Sequence, residues 1–352
     1  FFAQFGRKME SETFKMPDAT NYVMRKPIGI VGLISPWNLP LYLLSWKVAP
    51  ALLMGNTIIA KPSEITPITA HFLGKVCTDI GLPDGVLNIV HGYGPEIGQA
   101  IVEHPKIRAI SFTGGTATGK IVAATAAPMF KKLSLELGGK NASIIMEDAD
   151  LDIAVPGVLR ASFLNSGQIC LCGSRVLIHS SIYDEFMSRY LEQLQSFEIG
   201  PVISDSHRDK VMSYVELAIQ EGGNILAGGN IPDKPGSWIE PTVIGGLSHK
   251  SRTATEEIFG PVVTIHQFDS DDEAVQMANS TQYGLAGSVW SKNKGRTIAE
   301  KIDSGMVWVN TWLHRDLRVP FGGVKDSGVG REGGMWSIGF FSEAVNICVM
   351  ED

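Results

Sequence analysis

From Pro27 onward the chain alternates short apolar runs with amphipathic stretches, and this alternation restricts the fold more than any other feature. PIGIVGLI (27–34) is rich in β-branched residues and bounded by Gly and Pro, the pattern of a buried strand. The same reading predicts helices over 41–54, 66–80, 95–103 and 116–126, separated by the strands NTIIAKP, VLNIV (86–90), IRAISF (107–112) and KKLSLEL. A second series starts at Ala142 with SIIME, a helix near 150–165, RVLIHS and a helix over 182–195. It continues through a Gly-rich patch (GGNILAGGN), GPVVTIHQF, a helix over 271–279, GSVWS, a helix over 293–303 and MVWVN. Strand–helix alternation of this kind predicts doubly wound α/β sheets, here in two domains.

A length of 352 residues agrees with two domains. With 44% hydrophobic and 19% charged residues, the chain reads as a globular protein with substantial cores. A formal charge of −7 argues against nucleic acid as a partner. No run of 18 apolar residues suggests a membrane span, and FFAQFGRKMESE lacks the apolar core of a signal peptide. Residues 11–27 and the tail FFSEAVNICVMED are strand-like pieces outside both series; such strands pair between subunits or stand as simple edges.

Four cysteines (Cys77, Cys170, Cys172, Cys348) make no disulfide framework, and a reduced, cytoplasmic setting is expected. Cys170 and Cys172 lie in FLNSGQICLCGS (163–174), with no second cysteine pair to complete a zinc site, even counting His179. No metal is expected. Cys170 follows Gly167-Gln168-Ile169 on a Gly/Ser-bounded loop, a fitting place for a nucleophile. An ordinary thiol of pKa about 8.5 is only a few per cent thiolate at pH 7, so neighbouring groups would have to assist. Cys172, between Leu171 and the apolar run at Val176, reads as its buried neighbour, or as a resolving thiol under oxidation.

Three further segments carry candidate chemistry. In SFTGGTATGK (111–120) a strand runs into Gly114, Gly115 and Thr116, with Gly119 in the first helical turn. Backbone N–H groups there can meet an anion, although a simple tight turn has the same appearance. IIAKPSEITP (58–67) places Lys61 and Glu64 beyond a strand's carboxyl end, where α/β sheets bind ligands; a surface ion pair is the plain alternative. In LSLELGGKN (133–141), Glu136 sits in an apolar strand before Gly138-Gly139, placed as a partly buried base or as a satisfied structural carboxylate.

These segments, in this order, resemble the aldehyde dehydrogenase superfamily. The resemblance covers nearly the whole chain from about Phe5 and rests on SPWNLP (35–40), AKPSE (60–64), FTGGTATG (112–119), ELGGKN (136–141), GQIC (167–170), EEIFGPV (256–262), Asn310 and PFGGVKDSGVGREGG (320–334). It implies a Rossmann-type NAD-binding domain over 28–137 and an α/β catalytic domain over 138–338. It also implies a remnant of an N-terminal helix in 1–10, an oligomerisation hairpin in 11–27 and an oligomerisation strand in 339–352, hence a homo-oligomer.

The resemblance further implies that Cys170 attacks the aldehyde, while the Asn38 side-chain amide and the Cys170 N–H form the oxyanion hole. Glu136 then activates the water that hydrolyses the thioester. Lys61 and Glu64 are implied to hold the adenosine ribose of NAD, Gly115 to lie beside its pyrophosphate in the dinucleotide motif of Gly114, Gly115, Thr116 and Gly119, and Glu257 and Phe259 to hold the nicotinamide ribose and ring. Trp37, Ser63 and Leu137 are further implied cofactor-binding residues. Lys47 matches a lysine assigned to a proton relay, and Glu64 would repel the extra phosphate of NADP.

WLHRDLRVPFGG (312–323) resembles the branch acting on 2-aminomuconic or 2-hydroxymuconic semialdehyde, in tryptophan or aromatic breakdown. Arg315, which with Arg318 precedes the PFGG turn, is expected to grip the remote carboxylate, a solvated surface arginine being the alternative. Retinal or another general aldehyde is the alternative substrate. Against the family, the chain is expected to lack the long N-terminal region, and YLEQLQSFEIGPVIS (190–204) is shorter than usual. A catalytically silent, truncated paralogue acting as a binding or oligomer-modulating subunit is therefore the alternative function. A CoA-acylating enzyme fits less well, because those lack the base that Glu136 supplies.

Overall fold

The computed structural model describes residues 1–9 and 11–351, which form two compact units. The first comprises residues 1–136 with 316–322 and 328–352; the second comprises 137–315 with 323–327.

The first unit opens with a short helix α1 (Phe2–Gly6) and a hairpin of β1 (Glu12–Lys15) and β2 (Ala19–Pro27), so the strand-like stretch at 11–27 is two antiparallel strands. The alternating series follows: β3 (Ile30–Ile34), α2 (Pro40–Leu53), β4 (Thr57–Lys61), α3 (Ile68–Asp79), β5 (Leu87–Ile89), α4 (Gln99–Glu103), β6 (Ile107–Thr113), α5 (Thr116–Ala126) and β7 (Lys132–Glu136). The helix expected over 95–103 begins as a wider π-type turn, Gly94–Gly98, before α4.

All neighbouring pairs in the order β7-β6-β3-β4-β5 are parallel. The chain thus winds outward from β3 through β4 to β5, then returns to the other side of β3 through β6 and β7. The direction reverses between β3 and β6, and ligands of open α/β sheets bind outside the carboxyl ends of strands at such a reversal. On α2, Leu44, Val48 and Ala51 share one face and pack with Val31, Leu33, Ile58, Ala60 and Ala109 of the sheet. Each large aliphatic side chain so buried contributes about 1.5–3 kcal/mol.

The second unit contains β8 (Ala142–Ile145), α6 (Leu151–Phe163), β9 (Arg175–His179), α7 (Tyr183–Leu194), α8 (Asp205–Gln220), β10 (Asn224–Ala227), β11 (Thr242–Gly245), α9 (Arg252–Thr255) and β12 (Val262–Phe268). It continues with α10 (Asp271–Asn279), β13 (Tyr283–Gly284), β14 (Ala286–Trp290), α11 (Gly295–Ala299), β15 (Met306–Val309) and β16 (Val324–Lys325). Its main sheet has the order β10-β11-β12-β9-β8-β14-β15, parallel except for β10. The helix expected over 293–303 is only the short α11.

The largest departure from the sequence reading is α8, a 16-residue helix where none was expected. Ser204 caps it by accepting the His207 N–H, and Val211, Val215 and Ala218 form its buried face.

Three last elements rejoin the first unit. β17 (Gly328–Val329) pairs antiparallel with β7, α12 (Gly334–Phe340) follows, and β18 (Ser342–Met350) pairs antiparallel with β2 along its whole length. The expected C-terminal strand is therefore present. No helix among the described residues is long and apolar enough to cross a membrane.

Candidate active site

In the first unit, the segments singled out from the sequence lie at the carboxyl ends of adjacent strands. SPWNLP leaves β3, KPSE leaves β4 and GGT leaves β6. Asn38 and Trp37 are half-buried beyond β3, and the Trp37 carbonyl accepts the Thr66 hydroxyl at 3.3 Å. Lys61 and Ser63 are buried beyond β4, and Lys61 Nζ donates to Glu64 Oε2 at 2.9 Å and to the Pro62 carbonyl at 3.0 Å. Burial works to raise the Glu64 carboxyl, but the hydrogen bond and charge of Lys61 prevail and lower it.

Gly115 is the cap of α5, Thr116 its first residue, and Gly119 is buried in its first turn. The hydroxyls of Thr113 and Thr116 are buried without a hydrogen-bond partner among the described residues. Orphaned donors beside a helix N-terminus suit an anionic ligand.

Glu136 ends β7, is only 3% exposed, and its carbonyl accepts the Gly114 N–H at 3.1 Å. Gly322 approaches it with φ of +142°, and a Cβ at that position would stand 2.6 Å from Glu136 Oε1. The positive φ calls for glycine there, and its missing side chain leaves the space beside the Glu136 carboxylate open.

Lys47, on α2, is fully buried. Its Nζ donates to Glu332 Oε1 at 2.6 Å and to Ser111 Oγ at 2.8 Å, and that hydroxyl donates to the same Glu332 oxygen at 3.1 Å. Sequence reasoning found Lys47 and missed its two partners. Glu332 lies in the quoted GREGG stretch, yet nothing local marks it as the counter-ion of a residue 285 positions away.

In the second unit, the segments before β8, β9 and β12 are neighbours because those strands are adjacent in the sheet. Cys170 therefore has LGGKN (137–141) on one side and EEIFGP on the other. α6 ends at Phe163, and Asn165, Ser166 and Gly167 then adopt left-handed backbone in succession (φ of 53°, 56° and 72°). This turn delivers half-buried Cys170 and buried Cys172.

Such a run costs energy and persists only where its surroundings hold it. Ser166 Oγ donates to the Gly200 carbonyl at 2.7 Å, and Gln168 Oε1 accepts the Ile203 N–H at 2.9 Å. A Cβ on Gly167 would meet the Gly260 carbonyl at 2.1 Å, so no other residue fits. Asn141 Nδ2 donates to the carbonyls of both Cys170 (2.7 Å) and Cys172 (2.9 Å), fixing the loop from the other side. Burial pushes the Cys172 thiol up to about 12, which leaves it protonated and unreactive.

Arg175, at the start of β9, is buried with its guanidinium on three carbonyls: Lys140 (2.9 Å), Met277 (2.7 Å) and Ala278 (2.7 Å). It ties the ELGGKN segment to β9 and to the end of α10. The Gly139 N–H donates to Glu257 Oε1 at 3.0 Å. Burial raises the Glu257 carboxyl, opposed by that N–H and by the charges of Lys210 and Lys140. Lys140 is itself completely buried, its Nζ without a hydrogen-bond partner among the described residues, and burial takes it down to about 7.

Phe259 is held at φ of 62°, its carbonyl 2.7 Å from His207 Nε2. Lys210 and His207 both lie on α8, so the helix absent from the sequence reading also carries a charge that acts on Glu257 and a contact to Phe259. The Ser204 cap and the spacing of Val211, Val215 and Ala218 were the available signals. Leu137 is buried at the start of this unit. Arg315 is half-buried; Arg318 is exposed, and its Nε donates to Asp316 Oδ1 at 2.9 Å. Among the described residues no group of three or more His, Cys, Asp or Glu is placed to hold a metal.

The aldehyde dehydrogenase family pattern matches residues 1–347. The chain is 49% identical to a 2-aminomuconic 6-semialdehyde dehydrogenase of Pseudomonas sp., over 98% of this chain and 74% of that protein. It is 46% identical to a 2-hydroxymuconic semialdehyde dehydrogenase of Pseudomonas sp. (strain CF600), over 99% of this chain and 76% of that protein. Among solved structures, a betaine aldehyde dehydrogenase of Staphylococcus aureus in complex with NAD+ superposes with a TM-score of 0.96 at 39% identity, covering 99% of this chain and 74% of that one. A match of this length, on a fold whose strand ends carry the expected segments, shows that the chain belongs to the aldehyde dehydrogenase family.

Proposed function

We propose that the protein oxidises a carboxylated six-carbon semialdehyde, of the 2-aminomuconic or 2-hydroxymuconic type, to the dicarboxylate with NAD as acceptor. The observation that carries this reading is the nucleophile loop. A half-buried Cys170 is held by Asn141 beside Gly139 and Glu257, while the neighbouring thiol is buried and inert. The names of the relatives at 49% and 46% identity support the substrate class.

The dinucleotide fits the residues of the first unit. The β3/β6 reversal, the amides of α5 and the orphaned Thr113 and Thr116 hydroxyls suit a pyrophosphate, and Lys61 with Glu64 suits a ribose. Glu257 and Phe259 would hold the nicotinamide end. NAD supplies the acceptor for the hydride leaving the substrate carbon.

The protein's part is as follows. The Cys170 thiolate adds to the aldehyde carbon, and the new alkoxide is held by the Asn38 amide and the Cys170 N–H. Loss of hydride from that carbon restores the carbonyl as a thioester. Glu136 takes a proton from water, the hydroxide adds to the thioester, and the C–S bond breaks to release acid and thiolate. Lys47, hydrogen-bonded to Ser111 and Glu332, would pass protons within the first unit. Arg315 would receive the remote carboxylate, a task suited to its planar fork. The outer strand β18, with Ile347, Val349 and Met350 exposed, would pair with another copy to make a homo-oligomer.

The test is NADH absorbance with purified protein, NAD and either 2-hydroxymuconic semialdehyde or hexanal. The reading expects turnover that favours the carboxylated substrate by at least about tenfold in kcat/KM, and none in Cys170→Ala. Equal turnover of both aldehydes would overturn the substrate assignment.

A further inference from the structure

We infer that Arg160 is a second carboxylate-recognition residue, acting from the nucleophile's own unit; this rests on the carboxylated-substrate reading above. Arg160 lies in the last turn of α6, the helix that runs directly into the loop bearing Cys170. Its guanidinium carbon stands 5.7 Å from the centre of the Trp312 ring. The ring is buried, and its Nε1–H donates at 3.0 Å to the carbonyl of Leu171, the residue after the nucleophile. Arg160 is therefore one indole ring away from the Cys170 loop, on the segment that three residues later carries Arg315.

Arg160 is exposed, and no carboxylate pairs with it among the described residues. Arg175, also in this unit, is by contrast consumed by three carbonyls. A guanidinium within about 6 Å of an aromatic ring is attracted to it, and its N–H fork matches a carboxylate in bidentate fashion. The buried Trp312 ring thereby gives the Arg160 guanidinium an anchor near the nucleophile loop. The competing role is purely structural, a cation complementing the C-terminal end of α6. The two differ in that only recognition discriminates between charged and uncharged ligands.

The test does not require turnover. Muconate, a six-carbon dicarboxylate, is titrated against alkylation of Cys170 by iodoacetamide, with Cys170 read by peptide mass spectrometry and hexanoate as the monocarboxylate control. In the wild-type protein muconate protects Cys170 and hexanoate protects it far less. In Arg160→Gln the concentration for half protection by muconate rises about tenfold, and Arg160→Lys restores part of it. Unchanged protection by muconate in Arg160→Gln overturns the inference. So does a tenfold change in the alkylation rate without muconate, which marks Arg160 as a prop for the loop. If muconate protects the wild type no better than hexanoate, the substrate reading itself fails, a pattern distinct from either of these.

Discussion

Cys170 and Cys172 are separated by one residue, yet they occupy different environments. Both carbonyls are held by Asn141, but only Cys172 is buried, with its thiol pushed up to about 12. Iodoacetamide at pH 8 should therefore label Cys170 at least about tenfold faster than Cys172; comparable labelling would contradict the placement of the loop. A second residue-scale prediction concerns Glu64, whose lowered carboxyl stays ionised at neutral pH. Glu64→Gln removes the charge opposing a ribose 2′-phosphate, so the kcat/KM ratio of NADP to NAD should rise about tenfold, by competition of like charges at close range. An unchanged ratio would move the adenosine ribose elsewhere.

Between elements, a buried charge arrangement holds the first unit together. Lys47, Ser111 and Glu332 join α2, β6 and the C-terminal return, and removing one partner strands the other charge. Lys47→Met should cost about 3–5 kcal/mol in urea unfolding, and the double change Lys47→Met with Glu332→Leu should cost less than the single one. Additive costs would mean that the pair is not coupled. These links also explain what the sequence could disclose. α5 is found at Thr116–Ala126, as its local pattern predicts, because a helix is written in periodicity and caps. Cys170, Glu136 and the strand-end segments were legible for the same reason, as short motifs at element ends. The Glu332 partner, the three carbonyls on Arg175 and the Trp312 bridge to Leu171 join positions far apart in sequence. No local pattern encodes them. α8 was missed differently: its polar-rich first turns, SDSHRDK, masked the spacing of Val211, Val215 and Ala218.

For the whole molecule, a histidine buried in the second sheet contributes to the response to acid. Burial, reinforced by the charges of Arg175 and His249, lowers His266 to about 3. The unfolded imidazole binds a proton below about 6.5, while the folded one stays neutral down to about 3. The contribution of His266 is thus complete above 6.5 and is lost as pH falls through the window below it, by up to about 1.4 kcal/mol per pH unit. Urea midpoints at pH 7 and pH 5 should differ less in His266→Gln than in the wild type; equal differences would contradict this.

The two sheets divide the chemistry, with the dinucleotide-type strand ends in the first unit and the thiol loop in the second. The account depends on Cys170 carrying the substrate while Glu136 supplies the base that frees it. The most direct measurement is the intact mass of Glu136→Gln protein mixed with NAD and 2-hydroxymuconic semialdehyde, with NADH followed in the same sample. The account predicts an acyl adduct on Cys170, about one NADH per chain and little further turnover. Full turnover without an adduct, or no NADH from either this variant or the wild type, would contradict it.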